Sequence, residues 1–488
     1  MTVDARPSHE THSAAPADAG DAERVVDAVT CLGCGCACDD IRVVVRRARI
    51  VRTERTCPLG AAWFGDGVVP ERTCVRGKST SLEAAVAAAA ELLVGAERPL
   101  VYVAPEVSCE AQRVAAGIAD VLAAALDTAS SSTVLAGLLA AQRRGRASAT
   151  LGELRNRADV LVFWAVDPGV RYPRFAERYA PAPAGTHVPR GRAERTVIAV
   201  DVGADSALAD ADLRVALTPE QEVGALAVAR AALAGRERAF AGAHDAWMGE
   251  ALALAGRMAR ARYVGIVYDA EQRAASDRAD GLIALAQALN GPTRCALVAL
   301  RGGGNRSGAD AVLTWQTGFP TTVDFARGTP RYAAQLGSRP AAAAIGERIE
   351  LAGEGADEAA ELASEETDGE VGATAPAAWS GGLAMQGGYD AVLLVGDPAA
   401  VPIPVARELA PVPCAAVGPR ASDLAPAPEV AIDTGVPGIH ESGVALRMDD
   451  VPLPLRPPLD GPRSAAAVLV ALARVVGARR RRGWRGGV

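Results

Sequence analysis

The chain has 488 residues, half of them hydrophobic, which is enough for two to four domains of roughly 100–200 residues each. With only 22% charged residues the chain is not too polar to fold, and its formal net charge of −7 argues against a nucleic-acid-binding protein, which is usually basic. Aromatic residues make up only 4%, so we expect cores built mainly from alanine, valine and leucine.

Residues 1–24 predict a disordered leader, because they contain Asp, Glu, His and Pro but no apolar run. A signal peptide would need a basic start followed by about 7–15 apolar residues. Nowhere does the chain reach the roughly 18–20 consecutive apolar residues that a membrane span needs. We therefore expect a cytoplasmic protein without a membrane contact, in which clustered cysteines indicate metal sites more than disulfides.

Residues 25–78 predict a small cysteine-rich subdomain of the iron–sulfur type, in which IRVVVRRARIVR forms two short strands around a turn. Cys31, Cys34 and Cys38 stand in a C-x2-C-x3-C pattern, and Cys57 follows downstream. Four converging thiolates suit an iron–sulfur cluster and, less well, a zinc ion, because zinc sites more often contain two C-x2-C pairs. A loop of reduced, unligated cysteines is the third alternative, and spacing does not decide among the three.

Residues 79–474 alternate between apolar runs of strand length and alanine-rich helical segments. This alternation predicts parallel sheets in Rossmann-like α/β domains, because parallel strands are buried on both faces. The predicted strands lie in RPLVYVAPEV, ADVLVFWAVDP, ERTVIAVDVG, RYVGIVYDA, CALVALRGG, YDAVLLVGDPAA and VPCAAVG, and the predicted helices in SLEAAVAAAAELLVG, SCEAQRVAAGIADVLAAAL, DGLIALAQALN and VPIPVARELA. Because ligands bind outside the carboxyl ends of such strands, we expect a site near Asp167-Pro168, Arg301–Gly304 or Gly396-Asp397-Pro398.

Three further segments depart from this pattern. Residues 346–373 are acidic and rich in alanine and glycine, which predicts a flexible surface insertion. Residues 426–458 are rich in proline and predict an extended segment packed across the α/β core. Residues 475–488 are rich in arginine and predict a solvated basic tail.

The segment that begins RGGGNRSGADAV combines glycines with arginines. Backbone N–H groups of glycine-rich loops and arginine forks suit phosphate or carboxylate recognition. Neither GxxxxGK[ST] nor a GxGxxG between strand and helix is present, so a plain structural loop is the alternative. The candidate cofactor-binding residues are Arg301, Gly302, Gly303, Asn305, Arg306, Arg327 and Arg331.

Cys109 stands between a strand and a helix, where a helix N-terminus could stabilise a nucleophilic thiolate. The neighbouring Glu110 opposes thiolate formation, so a buried structural cysteine is the favoured interpretation. The histidines do not predict a hydrolytic metal site, since they are scattered along the chain at His9, His12, His187, His244 and His440.

The segments CLGCGCACDDI, TCPLGAAWF, VSCEAQ, RGGGNRSGADAVLTWQTGFPTTVDFARGTPRY and GIHESGVALRMDDVPLPLR resemble the B subunit of formylmethanofuran dehydrogenase, in colinear order from about Val25 to Arg474. This resemblance implies a molybdopterin-oxidoreductase-like fold. It also implies a 4Fe–4S cluster on Cys31, Cys34, Cys38 and Cys57, beside a tungsten or molybdenum bis-pterin. Arg301 resembles the active-site arginine of that family.

One motif of the redox-active family members is missing. They carry a Cys-His-Gly-Pro motif, whose Cys binds the metal and whose His assists catalysis, soon after the helix that follows VSCEAQ. Here the matching stretch LDTASSSTVLAGLL has only hydroxyl side chains, at Ser130, Ser131, Ser132 and Thr133. The resemblance therefore implies that the tungsto- or molybdopterin is lost, as in the B subunit of the bacterial formyltransferase/hydrolase complex.

That relationship implies a noncatalytic scaffold in one-carbon metabolism, within a complex that oxidises formaldehyde to formate on a methanofuran-type carrier. The implied partners are the amidohydrolase-type A subunit, the formyltransferase subunit and the C subunit of the complex. Arg301, Arg306, Arg327 and Arg331 are expected to help position the anionic tail of the carrier. The alternative is a redox-active catalytic subunit with a bis-pterin and a 4Fe–4S cluster, and the sequence does not decide whether the cluster is bound.

Overall fold

The structure is a computed structural model that describes residues 22–240, 245–271, 276–332 and 383–485. The predicted leader lies outside these residues up to residue 21, and the predicted acidic insertion at 346–373 lies wholly outside them. The strands are β1 (Arg24–Val29), β2 (Ile41–Arg46), β3 (Arg49–Glu54), β4 (Thr73–Val75), β5 (Lys78–Ser79), β6 (Pro99–Val103), β7 (Ala125–Thr128), β8 (Val160–Trp164), β9 (Thr196–Val202), β10 (Leu213–Leu217), β11 (Val264–Asp269), β12 (Cys295–Leu300), β13 (Val323–Asp324), β14 (Arg331–Tyr332), β15 (Ala391–Val395), β16 (Cys414–Gly418), β17 (Val430–Asp433), β18 (Gly443–Leu446) and β19 (Pro452–Leu455).

The helices connect these strands in the alternation that the sequence predicts. They are α1 (Pro58–Phe64), α2 (Leu82–Gly95), α3 (Cys109–Leu122), α4 (Ser131–Arg144), α5 (Leu151–Arg157), α6 (Pro168–Arg171), α7 (Phe175–Arg178), α8 (Pro219–Leu233), α9 (Ala246–Ala259), α10 (Ser276–Leu289), α11 (Arg306–Thr317), α12 (Ile403–Leu409) and α13 (Ala465–Arg485). Short 3-10 helices lie at Gly191–Glu194, Glu237–Phe240, Leu383–Gln386, Pro398–Ala400 and Ala421–Asp423.

A five-stranded parallel sheet has the order β10-β9-β8-β11-β12. All five strands come from one continuous stretch of chain, residues 160–300. The residues of β8 are all buried, as expected for a parallel strand with helices on both faces. Strand order reverses between β8 and β11, which is where α/β sheets of this Rossmann-like order form their ligand crevice.

A nine-stranded sheet has the order β14-β13-β7-β6-β15-β16-β17-β4-β5. Its middle strands, β7 to β17 in that order, are parallel, whereas β13 and β4 pair antiparallel at the two sides. Strand order reverses between β6 and β15. This sheet collects strands from both sides of the five-stranded unit in the sequence, and its core includes residues of α2, α3 and α13.

The cysteine-rich segment forms the antiparallel sheet β1-β2-β3 and the helix α1. Its cysteines share a hydrophobic core with β8, β9, β11 and β12 of the five-stranded sheet. The predicted boundary of this segment at residue 78 falls within β5, because β4 pairs with β17 of the large sheet. The segment is therefore packed against both sheets, close to the carboxyl ends of their strands.

Two predicted boundaries differ from the structure: the end of one helix and the start of the basic tail. The sequence predicts a helical segment from Ser108 to Leu126, but the helix ends at Leu122, where Ala123 adopts a left-handed conformation with φ 53°. The predicted boundary of a basic tail at residue 474 falls inside α13, where Val476 is fully buried and Arg480 donates a hydrogen bond to the Leu122 carbonyl at 2.8 Å.

The proline-rich segment supplies β17, β18 and β19, so part of it is extended as predicted. Within the described residues, no helix combines the length and the apolar character that a membrane crossing requires.

Candidate functional site

Two loops meet at the carboxyl ends of the strands: the cysteine loop, residues 31–38, and the glycine loop, residues 301–304. Their backbones touch, since the Gly304 N–H donates to the Leu32 carbonyl at 2.8 Å. A Cβ added to Gly35 would lie 2.1 Å from the Arg301 carbonyl oxygen, and a Cβ added to Gly303 would lie 2.8 Å from the Gly33 oxygen. Glycine is required on both sides because any side chain would separate the two loops.

Three of the four predicted cluster cysteines lie near enough to Cys31 to act on it electrostatically. The charges of Cys34, Cys38 and Cys57 all act on the thiol of Cys31, and burial, the largest cause, raises the pKa of Cys31 far above that of a free thiol. Backbone N–H groups point at two of the sulfurs, from Gly33 to Cys31 Sγ at 3.4 Å and from Gly60 to Cys57 Sγ at 3.5 Å. Such N–H···S bonds favour thiolate sulfur and are typical of iron–sulfur sites.

Two thiols of the cysteine loop, those of Cys34 and Cys38, have pKa values shifted in opposite directions. A hydrogen bond from the Cys36 thiol, together with the charge of Arg174, lowers the pKa of Cys34 to about 7. Burial raises the pKa of Cys38 to about 11, although Arg178 and Arg174 act in the opposite direction. Both arginines also form ion pairs with Asp40, which fixes α7 against the loop.

No three His, Cys, Asp or Glu side chains are arranged as the ligands of a single metal ion anywhere in the described part of the chain. The described side chains therefore do not assemble a single-ion site such as a tetrahedral zinc, which needs four ligand atoms around one centre.

The hydroxyl of Ser130 is linked to Arg301 of the glycine loop through the carboxylate of Asp310. The Ser130 hydroxyl donates to Asp310 Oδ1 at 3.3 Å and lies 3.4 Å from the Thr128 hydroxyl. The other carboxylate oxygen of Asp310 accepts a 2.6 Å hydrogen bond from Arg301 Nη1. Burial raises the pKa of Asp310 and the guanidinium of Arg301 lowers it, and the short contact is that of a charge-assisted pair.

Arg301 also lies near a second carboxylate, that of Glu271. Its Nε lies 3.6 Å from Glu271 Oε1, and Arg306 Nη1 lies 3.5 Å from Glu271 Oε2. Glu271 also lies 3.7 Å from Arg171, which forms an ion pair with Asp269 at the end of β11. Charged side chains thus follow the carboxyl ends of β8, β11 and β12.

Arg301 lines a cavity of about 230 Å³ between α4 and α11. Its Nε and Nη2 and the hydroxyl of Tyr268 are buried without a hydrogen-bond partner among the described residues. Arg146, Asp310 and Asp450 add two further carboxylates and a guanidinium to the wall, and Trp315, 66% exposed, also lines the cavity. The cavity has a mostly apolar wall with a few charged groups, and it is smaller than the roughly 300–1,000 Å³ of pockets for drug-sized ligands.

The other predicted binding residues occupy different places. Asn305 is fully buried and donates to the Val107 carbonyl and to Cys109 Sγ, so its amide holds loops together. Arg327 is exposed and Arg331 half-buried at the hairpin of β13 and β14, and neither has an ion pair among the described residues. Among the described residues, the hydrogen bonds and ion pairs of Arg301 do not include Arg327 or Arg331.

Cys109 is buried and accepts a hydrogen bond from Asn305 Nδ2 at 3.3 Å. Burial raises the pKa of its thiol, which opposes a nucleophilic thiolate. These contacts support the interpretation of Cys109 as a structural cysteine.

Sequence reasoning missed Asp310, Glu271 and Glu106. Glu106 follows β6 at the switch point of the nine-stranded sheet, where burial, assisted by the charge of Asp397, raises its pKa to about 7. The signal available for Glu271 and Glu106 was their position just after a predicted apolar strand. Asp310 lies in a helix four residues after Arg306 and gave no such signal.

Comparisons with known proteins agree with the resemblance, although no family model matches the chain. The B subunit of the tungsten-containing formylmethanofuran dehydrogenase 2 of Methanocaldococcus jannaschii is 29% identical over 453 residues, covering 90% of this chain and 95% of that protein. The B subunit of the formyltransferase/hydrolase complex Fhc of Methylorubrum extorquens is 32% identical over 264 residues, covering 53% of this chain and 67% of the relative.

A crystal structure of the formyltransferase/hydrolase complex from Methylorubrum extorquens, solved with methylofuran, contains a chain of the same fold. The TM-score is 0.61 at 24% sequence identity, and the match covers 83% of this chain and 99% of that one. Together, the colinear motifs and the sequence match to the Fhc B subunit place this chain in the family of formylmethanofuran dehydrogenase B subunits.

Proposed function

We propose that the protein is the noncatalytic B subunit of a cytoplasmic formyltransferase/hydrolase-type complex, which takes part in the oxidation of formaldehyde to formate. The observation that carries this proposal is the Ser130–Asp310–Arg301 contact in the stretch where redox-active relatives bind their metal. A hydroxyl that donates to a carboxylate is a poor ligand for tungsten or molybdenum, which bind thiolates well. Its partners would be the amidohydrolase-type A subunit, the formyltransferase subunit and the C subunit.

The residues present do not fit a tungsten or molybdenum bis-pterin. Both oxygens of Asp310 are already hydrogen-bonded, to Ser130 and to Arg301, so this carboxylate does not offer a free ligand atom either. These residues therefore support no redox step in this chain.

The four cysteines, in contrast, fit a 4Fe–4S cluster that would be structural. Cys34, Cys38 and Cys57 each lie within electrostatic range of Cys31, and two of the four sulfurs accept backbone N–H bonds. Bound there, a cluster would cross-link the cysteine loop to the start of α1, where Cys57 is the N-cap residue.

Exposed arginines of this chain would bind the carrier. The related complex was solved with methylofuran, and an anionic carrier tail would meet Arg327 and Arg331 from solvent. Arg301 would contact only a group that enters the cavity, and Arg306 is already paired with Glu271. A methanofuran-type carrier could therefore be held at the β13–β14 hairpin without access to the interior.

The test is methylofuran binding by the complex that contains an Arg327→Ala/Arg331→Ala variant of this chain. We expect about tenfold weaker binding, since each exposed guanidinium–carboxylate contact contributes up to about 1 kcal/mol. The weakening should shrink as salt is added. An Arg236→Ala/Arg238→Ala variant, which removes two exposed arginines elsewhere, is the matched control. Equal affinity of the two double variants would contradict carrier binding at the hairpin.

The second candidate function is that of a redox-active catalytic subunit. Two observations favour it: all four cluster cysteines are present, and the Methanocaldococcus jannaschii relative is named as tungsten-containing. It would need a metal ligand other than the cysteine and histidine of the missing motif. About one tungsten or molybdenum per chain in the purified native complex would establish it in place of the first proposal.

A further inference from the structure

The charged side chains between the two sheets form one continuous network. It runs from Ser130, after β7, through Asp310 to Arg301, after β12, at 3.3 Å and 2.6 Å. From Arg301 it continues through Glu271 to Arg306 and Arg171 and ends on Asp269. The network therefore spans from the carboxyl end of the nine-stranded sheet to the carboxyl end of the five-stranded sheet.

The network is neutral overall. Its three carboxylates, Asp269, Glu271 and Asp310, are matched by three guanidiniums, Arg171, Arg301 and Arg306. Asp450 and Arg146 at the cavity wall add one more charge of each sign. A dinucleotide cofactor carries phosphates, and a network of balanced charge gives it no net electrostatic attraction, although Arg301 Nε and Nη2 keep N–H groups without a partner among the described residues.

Most charged side chains of the network are buried, so each needs its partner to offset the cost of burying a charge. The side chains of Arg301 and Asp310 are each 10% exposed, and that of Glu271 is 5% exposed. A charge in such surroundings is costly unless it is paired, so loss of one partner leaves the other uncompensated. Arg171 is the exception, because its side chain is 44% exposed and solvent screens its contacts.

We propose that this ion-pair network is an internal cross-link between the two sheets, so that the chain folds and stays closed without tungsten or molybdenum. The proposal rests on the noncatalytic role proposed above and adds a cause for it. Arg301, which resembles a catalytic arginine, is here a structural group neutralised by Asp310.

The first test measures the thermal unfolding midpoint of the full chain in its native complex. Asp310→Asn and Arg301→Met should each lower the midpoint by roughly 5–10 °C, because each leaves a buried partner without its counter-charge. The Asp310→Leu/Arg301→Met double variant should lose clearly less than the sum of the two single losses, since apolar groups replace both charges. Asp27→Asn, which breaks an ion pair exposed on both sides, is the control and should shift the midpoint by less than about 1 °C.

The second test asks whether the cofactor binds. The native complex is purified from cells supplied with molybdate or tungstate, and molybdenum and tungsten are counted per chain. We expect neither metal, and the same unfolding midpoint with and without the supplement. About one metal per chain, or a higher midpoint after supplementation, would overturn both the cross-link and the noncatalytic role. Absence of metal combined with additive or negligible effects of the single variants would overturn the cross-link alone.

Discussion

At the scale of the residue, His440 shows how burial fixes a protonation state. Its Nδ1 accepts the Val436 N–H at 3.2 Å, so the ring proton is on Nε2, which donates to the Gly67 carbonyl at 2.7 Å. Gly435 and Gly461 both approach its Cβ closely, which leaves the ring little room to turn. Burial is the largest cause that lowers the pKa of His440.

This arrangement predicts a loss of stability in mild acid. The pKa of His440 is lower in the folded protein than in the unfolded chain, where it is about 6.5. The unfolded chain therefore binds more protons as the pH falls below about 6.5, and the contribution of His440 to stability, fully present above that pH, is lost. The unfolding midpoint of a His440→Gln variant should depend less on pH between about 8 and 5.5 than that of the natural protein. The exposed His187→Gln variant should retain the full dependence, and an unchanged dependence in His440→Gln would contradict this account.

At the scale of the element, the site depends on how closely the cysteine and glycine loops approach. Both loops were identified from the sequence, one by its cysteine spacing and the other by its glycines and arginines. Their contact was not, because a pairing between residues about 270 positions apart follows from strand order and from the fold of the cysteine segment. The carboxylates that pair with Arg301 are nearer in the chain, but their contact with it depends on how β11, β12 and α11 are arranged in the fold.

Gly35 is the residue on which this approach can be tested. Gly35→Ala places a Cβ 2.1 Å from the Arg301 carbonyl oxygen, which is backbone and cannot turn away. We expect a loss of about 1–3 kcal/mol or more in the free energy of unfolding, as for other overpacked interiors. Gly117→Ala in α3 meets no atom within 4 Å and should be neutral or stabilising by up to about 1 kcal/mol. Chemical denaturation of both variants measures the difference, and equal stability would mean that the loops do not hold this spacing.

Secondary structure was predicted well wherever apolar runs were long. The strands β6, β8, β9, β11, β12, β15 and β16 and the helices α2, α10 and α12 lie where the sequence predicts them. The sequence places the start of β7 in the end of a helix, because its alanine-rich run has helical composition and only the backbone turn at Ala123 separates the two. Composition alone cannot locate such a turn, since alanine has no preference for a left-handed conformation.

At the scale of the whole molecule, the protein has the four candidate cluster cysteines, and the charge of Arg301 is paired with that of Asp310. We expect about four iron atoms per chain and no tungsten or molybdenum in anaerobically purified protein. Cys38→Ser should lose most of the iron, whereas Cys74→Ser, outside the set of four, should keep it. Metal analysis of the three proteins checks this expectation. Iron-free natural protein would leave the cysteines with a packing role only.

The origin of the two sheets in the sequence also sets the order in which they can form during synthesis. The five-stranded sheet is complete once residues 160–300 have left the ribosome, whereas β15 in the middle of the nine-stranded sheet and the helix α13 that packs on α2 and α3 are made much later. Domains fold as units as they emerge, so the five-stranded unit can fold first. Until β15 arrives, the apolar strand β6 has an open edge, which is a site for aggregation. The nascent chain therefore needs protection of this edge while nearly 300 residues are added between β6 and β15.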